Sequence, residues 1–367
     1  MAAPPPTVGV EEEMFVVDGE TGELRTDAQD VVDAARHHDD DQIDHELSRA
    51  QVESGSQVCR DLEDLRASLT SLRRRLDAAA RARGARIIAT GTHPWSPWSA
   101  AGGVTPVPAY LRLAEEYAHL TSEQVVSGCH VHVEVGDPDL AIQVMNRVRV
   151  HIPEVLALST NSPLWEGTDT GYASYRTEVF HRWPTAGLPE PFASRADYDD
   201  LVRVMTDAGA IDEPARLYWD VRPSARYPTL EFRVADVPMT VDESVTLAGL
   251  CRALVARACA QEEAGAPMPR HRPEVLRSAL WRAARYGLDA ELLDLEAGRA
   301  RPAADVVRDL VTALAPHLEE VGDRDVVGDG VEALLRDGTG AARQRAALAR
   351  RDDPCDVVDL LVGATVP

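Results

Sequence analysis

The chain has 367 residues, 44% of them hydrophobic, and a formal net charge of −23. That is enough apolar content to bury one large core or two smaller ones, and too much for disorder over most of the length. So acidic a balance lacks the basic footprint of a nucleic-acid binder, and no run of eighteen apolar residues offers a membrane span. The opening residues lack the basic and apolar regions of a secretory signal. The five cysteines (Cys59, Cys129, Cys251, Cys259, Cys355) are scattered, odd in number and free of any CxxC. This points away from a zinc ribbon or disulfide framework and towards a reducing cytoplasm. All 38 Lys/Arg positions are arginine, so a phosphate clamp here must use arginine or a metal; a Schiff-base or P-loop lysine is excluded.

Residues 1–6 read as a disordered tail, followed by a strand of about ten residues. In Val8-Gly9-Val10-Glu11-Glu12-Glu13-Met14-Phe15 the strand period of two puts Glu11 and Glu13 on one face. Glu12 falls on the apolar face with Val8, Val10 and Met14, where it calls for a buried arginine or a sheet edge. Asp18-Gly19-Glu20-Thr21-Gly22 has turn chemistry. The stretch 34–41 reads as a solvated loop; His37 and His38 beside three aspartates lack the alternation of a built metal site. A strand is expected in 49–55, adding Glu53, and a long helix over 61–83 with Leu62, Leu65, Leu69, Leu72 and Leu76 at helical spacing. Within it, Arg73-Arg74-Arg75 reads as a solvated face. A short buried strand at 87–92 leads into a long Gly/Pro loop with Trp95 and Trp98, which either cover a substrate or simply pack.

In Cys129-His130-Val131-His132-Val133-Glu134 the imidazoles and Glu134 point one way and the valines the other, leaving Cys129 as a small hydrophobe. A helical stretch over 138–159, restarted at Pro153, precedes a polar, aromatic segment at 161–183. A helix near 197–208 follows. Thr229-Leu230-Glu231-Phe232-Arg233-Val234 then sets Glu231 and Arg233 opposite Leu230, Phe232 and Val234, with Asp236 on the other face. From 241 to about 350 the pattern is mainly helical. Strands before residue 236 and helices after it make an α+β fold with a mostly antiparallel sheet. A sheet face lined with carboxylates, imidazoles and arginine is costly unless it binds something; paired carboxylates suit hard cations and arginine suits phosphate.

With those residues laid out, the chain resembles the carboxylate–amine ligases of the glutamate–cysteine ligase type 2 family, within the glutamine synthetase/guanido kinase-like fold. The resemblance rests on GVEEE at 9–13, SRAQVESG at 48–55, GTHPW at 91–95 and SGCHVHVEV at 127–135. NSPLWEGTDTGYASYR at 161–176, RWPTAG at 182–187 and TLEFRVADV at 229–237 continue it in order. It implies a sheet of about six strands forming an active-site funnel, flanked by helices. The unit would be one ligase domain over 7–367, sheet-rich to 240 and mainly helical from 241.

The implied activity is ATP-dependent amide formation between glutamate and an amine such as cysteine, through an acyl phosphate. Mg²⁺, or Mn²⁺, would be held by Glu11, Glu13, Glu53 and Glu231. Arg233 would stabilise the transferring phosphoryl group, and His132 or its neighbour His130 would contact the phosphate or acyl intermediate. Arg222 and Arg176 would bind substrate carboxylates or nucleotide phosphates, and Tyr172 and Tyr175 would shape the acceptor pocket. The family leans towards homodimers. Three alternatives remain: the same chemistry on a different acid or amine, a His-x-His metallohydrolase of the barrel type, and a non-catalytic member of the family.

Overall fold

The structure is a computed structural model and describes residues 5–36 and 42–367. The sequence readings for residues 1–4 and for His37 and His38 lie outside those residues. The described residues form eleven strands: β1 (Val8–Asp18), β2 (Ile43–His45), β3 (Gln51–Gly55), β4 (Ala85–Ile88), β5 (Gly128–Glu134), β6 (Leu164–Trp165), β7 (Thr168–Asp169), β8 (Val221–Pro223), β9 (Thr229–Asp236), β10 (Glu291–Asp294) and β11 (Arg299–Pro302). The helices are α1 (Ala28–Ala35), α2 (Leu62–Arg81), α3 (Pro108–Tyr117), α4 (His119–Ser122), α5 (Pro138–Val148), α6 (Ile152–Ser159), α7 (Tyr175–Phe180), α8 (Arg195–Asp207), α9 (Val241–Glu263), α10 (Pro273–Tyr286), α11 (Ala303–Val321), α12 (Arg324–Asp337), α13 (Gly340–Arg351) and α14 (Pro354–Thr365).

Seven strands make the main sheet, in the order β2-β3-β1-β5-β9-β8, with β4 pairing the far end of β1. Every one of these pairings is antiparallel. A barrel of alternating parallel strands and helices, which the metallohydrolase reading requires, is therefore not this fold.

Alternation along β1 divides its side chains between two environments. Val8, Val10, Met14 and Val16 enter the main core under α2, α5 and α9. Phe15 and Val17 join a smaller core with Ile88, Met239 and Leu361 on the other face. That second core closes one end of the face that carries Glu11 and Glu13. α2 starts where the Asp61 side chain accepts a hydrogen bond from the Asp64 amide at 2.8 Å, a normal N-cap, and its leucine stripe is buried.

Two expectations need correction and two are refined. Arg73 does not belong to a solvated face: it is fully buried and forks onto Glu12, which is also fully buried. Its neighbours on the leucine stripe, Leu69 and Leu76, carry it inward. The 34–41 loop begins later than expected, because α1 runs to Ala35. The sheet expected to have about six strands has seven. The helical C-terminal part also contains the β10–β11 hairpin, whose only fully buried side chain on β10 is Leu292, too little alternation to read as a strand.

Candidate active site

Antiparallel register lays the charged residues out in rows across the sheet. Glu53 lies opposite Glu13, Glu11 opposite His130, and His132 opposite both Gly9 and Glu231; Glu231 in turn lies opposite Arg222. Between Cys129 and Val131 the β5–β9 pairing shifts register, so β9 passes an extra residue opposite His130. Such bulges re-aim side chains at functional sites, and this one sets Arg233 beside the imidazole, with Nη1 3.4 Å from His130 Nδ1. Gly9 and Gly55 leave the floor open: a Cβ on Gly55 would approach only Glu11 Cγ, at 3.8 Å, and one on Gly9 only Ser56 Oγ, at 3.7 Å.

Glu11 Oε2 is 3.2 Å from His130 Nδ1, and Glu11 Oε1 is 3.4 Å from His132 Nε2. Burial works against its ionised form, but the two imidazoles outweigh it and hold the Glu11 carboxyl well below the usual range. Glu13 accepts the Gly128 amide at 2.6 Å and stands 3.5 Å from His130 Nε2. Burial and the Arg233 charge lower the His130 pKa, whereas the Glu11 carboxylate overcomes burial and raises that of His132. His130 Nδ1 faces both an acceptor on Glu11 and a donor on Arg233, and one tautomer serves only one of them. His132 Nδ1 is 3.0 Å from Thr229 Oγ1.

Glu231 is buried between two arginines. Arg222 Nε donates to Glu231 Oε2 at 3.0 Å, and Arg233 Nη1 donates to Glu231 Oε1. Despite burial, those cations hold the Glu231 carboxyl well below its ordinary value. Glu11, His132 and Glu231 each offer a ligand atom within 4.8 Å of the other two.

The opposite tendency rules the other end of the face. Burial, then the charges of Glu46, Glu11 and Glu13, push the Glu53 carboxyl well up. Burial and the Glu13 charge raise Glu46 to about 7. Three carboxylates crowded this closely repel one another even with the Arg233 charge nearby, which is the condition a hard metal ion relieves. Glu46 is the one member of this group that sequence reasoning misses. It precedes β3 in irregular backbone, where no period marks a facing residue, and its only signal is its place just before SRAQVE.

Buried atoms without a hydrogen-bond partner cluster on this face: His130 Nε2, His132 Nε2 and Arg233 Nε. Native interiors satisfy such groups, so a cluster of them marks space for a ligand.

Arg222 and Arg176 differ from expectation. Arg222 donates to Glu231 and, at 2.6 Å each, to the carbonyls of Ala215 and Leu217, so its nitrogens are engaged and it positions Glu231. Arg176 is buried and donates to the carbonyls of Val234 and Arg233 at 3.2 and 3.3 Å, bracing the β9 backbone from within. Tyr172 and Tyr175 stand 6.1 Å apart in a separate aromatic group with Trp165, Trp281 and Arg285; the Tyr172 hydroxyl accepts from Trp281 Nε1 at 3.1 Å. Of the loop tryptophans, Trp95 packs edge-on against His93, whose ring is wedged between the Gly22 carbonyl and the Ser96 amide.

Glu12, on the far face, accepts from Arg73 Nε at 2.8 Å, Arg73 Nη2 at 2.6 Å and Ser244 Oγ at 2.6 Å. Asp236 is likewise structural, accepting from the Asn161 amide and the hydroxyls of Ser162 and Ser174.

Residues 7–358 match the model of glutamate–cysteine ligase family 2. A relative from Frankia alni, provisionally named glutamate–cysteine ligase 2-2, is 44% identical over 98% of this chain and 97% of its own. One from Rhodopirellula baltica, provisionally named glutamate–cysteine ligase 2, is 41% identical over 99% and 97%. Among solved structures, the glutamate–cysteine ligase of Francisella tularensis in complex with AMP shares the fold with a TM-score of 0.69 at 12% identity, covering 100% of this chain and 89% of that one. The bifunctional glutathione synthetase of Pasteurella multocida does so at 0.71 and 16%, with this chain spanning only 51% of it. With the antiparallel sheet, the one-faced carboxylate rows and this match over nearly its whole length, the chain belongs to glutamate–cysteine ligase family 2 and is an ATP-dependent ligase that forms carbon–nitrogen bonds.

Proposed function

We propose that the protein joins the γ-carboxylate of L-glutamate to the amine of L-cysteine or a related amine, releasing ADP and phosphate. The observation that carries this reading is the single sheet face on which Glu11, Glu13, Glu46, Glu53 and Glu231 surround His130, His132 and Arg233. The carboxylates fit divalent cations: one end of the face is over-crowded with acids, and at the other Glu11, His132 and Glu231 converge, with His132 Nε2 facing Glu11 Oε1 at 3.4 Å outside hydrogen-bond geometry. Glu13, Glu46 and Glu53 would hold one Mg²⁺, and Glu11 and Glu231, with His132, another. When bound, such ions neutralise the phosphate charge that otherwise repels an attacking carboxylate.

The chemistry runs in two steps. A glutamate γ-carboxylate oxygen attacks the γ-phosphorus of ATP, forming a new O–P bond while the bond to the ADP oxygen breaks. The amine nitrogen then attacks the acyl carbon, phosphate departs with the C–O electron pair, and the nitrogen loses a proton. Arg233 is built for the first step: Nε is buried and free, so it presents a fixed donor to the equatorial oxygens of the phosphoryl group. Arg222 and Thr229 hold Glu231 and His132 in position. The open floor above Gly9 and Gly55 leaves room for the acid substrate.

The same apparatus would serve another acid or amine. Phosphate release from Mg·ATP, screened against glutamate with a panel of amines and followed by mass detection, decides between them. Release that needs both glutamate and cysteine, with the matching amide formed, is the expected result. Release with no glutamate requirement would overturn the acid assignment, and no binding of Mg·ATP would overturn the site.

A further inference from the structure

A cavity of about 470 Å³ opens in the helical layer, away from the ligase face and sharing no residue with it. Its walls come from the α5–α6 junction, α9, the segment before α10, the β10–β11 hairpin and α11. Most ionic groups on the wall are already matched. Arg147 is held by Glu262 and the carbonyls of Ala266 and Pro267, and Arg301 bridges Asp294 and Asp309 at 2.7 and 2.8 Å.

Among the acids and arginines of the wall that are not exposed, two of opposite kind are not matched; the carboxylate of Glu296 is exposed to solvent. Glu154, on α6, is 7% exposed, and its Oε2 has no hydrogen-bond partner; its Oε1 is 4.0 Å from His151 Nδ1, which also lacks a partner. Arg257, half-buried on α9, makes no hydrogen bond or ion pair among the described residues. His271 and Gln261 complete the polar wall, beside the apolar surfaces of Leu254, Val306 and Leu310.

A carboxyl buried at this depth is costly to leave without a partner, and a guanidinium in a half-enclosed cleft is a ready anion site. An anion alone would satisfy Arg257 and leave Glu154 stranded; a cation alone would do the reverse. Only a ligand with both charges satisfies the pair. The volume lies within the range of small-molecule sites and exceeds what one ion needs. We propose that this cavity is a second ligand site, taking a free amino acid or dipeptide with its carboxylate on Arg257 and its ammonium on Glu154. α6 packs on β9 and α9 on β5, so both recognition groups stand on helices that back the strands of the ligase face.

The test is calorimetric titration of the intact protein with the twenty L-amino acids and glycylglycine, on wild type, Arg257→Ala, Glu154→Gln and Glu231→Gln. Circular dichroism establishes that each variant is folded; Arg257, being half-buried, keeps the test open even if Glu154→Gln does not fold. The expected result is a ligand that binds wild type and Glu231→Gln alike and binds the two cavity variants about tenfold more weakly or worse. Its deaminated and decarboxylated analogues should both lose binding. The proposal is overturned if no compound binds, which would leave a merely hydrated cleft. It is equally overturned if binding survives in Arg257→Ala, or if the deaminated acid binds as well as the amino acid.

Discussion

Replacing Arg73 with methionine tests the architecture behind the ligase face. Arg73 donates to both oxygens of Glu12, to the carbonyls of Pro238 and Met239 at 3.0 Å each, and to the Thr365 carbonyl at 3.1 Å, with both side chains fully buried. Methionine fills most of the stem volume, so little of the effect comes from a cavity. Leaving Glu12 as a buried, unpaired acid costs about 3–5 kcal/mol, capped because the carboxyl can take up a proton instead. Three carbonyls losing their donor add about 1 kcal/mol each. A loss of at least about 4 kcal/mol is expected, a large share of the roughly 5–15 kcal/mol that holds a typical domain together. Urea unfolding followed by circular dichroism measures it. Turnover per folded molecule should be unchanged, since Glu12 and Arg73 lie on the far side of the sheet from Glu11 and Glu13. The double variant Glu12→Leu/Arg73→Met should recover part of the loss. A single variant within about 1 kcal/mol of wild type would refute the reasoning.

Other expectations follow from particular contacts. Glu231→Gln should keep the fold and lower Mg·ATP turnover about 100-fold or more; near-normal turnover would remove Glu231 from the metal ligands. Glu46→Gln should raise the Mg²⁺ concentration needed for half-maximal turnover, and an unchanged Mg²⁺ dependence would exclude Glu46 from the site. Burial raises Glu154 from an ordinary value of 4.5 to about 7. The folded state therefore holds that proton more tightly, and stability should fall as pH rises from about 4.5 through 7, by at most about 3 kcal/mol. Urea midpoints at pH 5 and 8 should differ less in Glu154→Gln than in wild type, and equal differences would count against the buried acid. Gly340→Ala would place a Cβ 2.0 Å from Asn161 Oδ1, so α13 should loosen and the melting temperature should drop, unlike Gly328→Ala, where a Cβ meets nothing.

Period-two alternation makes much of the ligase face legible in the sequence. Glu11, Glu13, His130, His132, Glu231 and Arg233 sit on strands whose intervening positions are apolar apart from Glu12, so one face follows from the other. Glu46 lies outside that logic because irregular backbone has no period. Arg73 misleads for a different reason. Its partner Glu12 is 61 residues away, and an arginine triplet looks like surface unless the helix phase is weighed residue by residue. The phase is there to be read: Leu69 and Leu76 flank position 73 on the buried stripe. Arg176 and Arg222 stand out by residue type alone, and only the register of β8 against β9 shows Arg222 spent on Glu231.

The Arg73 fork also bears on when the protein can fold. It ties α2 and, through Glu12, β1 to a carbonyl 292 residues later in the chain, and the Ala89 amide is capped by the hydroxyl of the same Thr365. At a synthesis rate of roughly 5–20 residues per second, the nascent β1–α2 unit waits about 15–60 s for that last partner to emerge. During the wait Arg73 and Glu12 have each other but not the carbonyl that completes their burial. A chain built this way closes late.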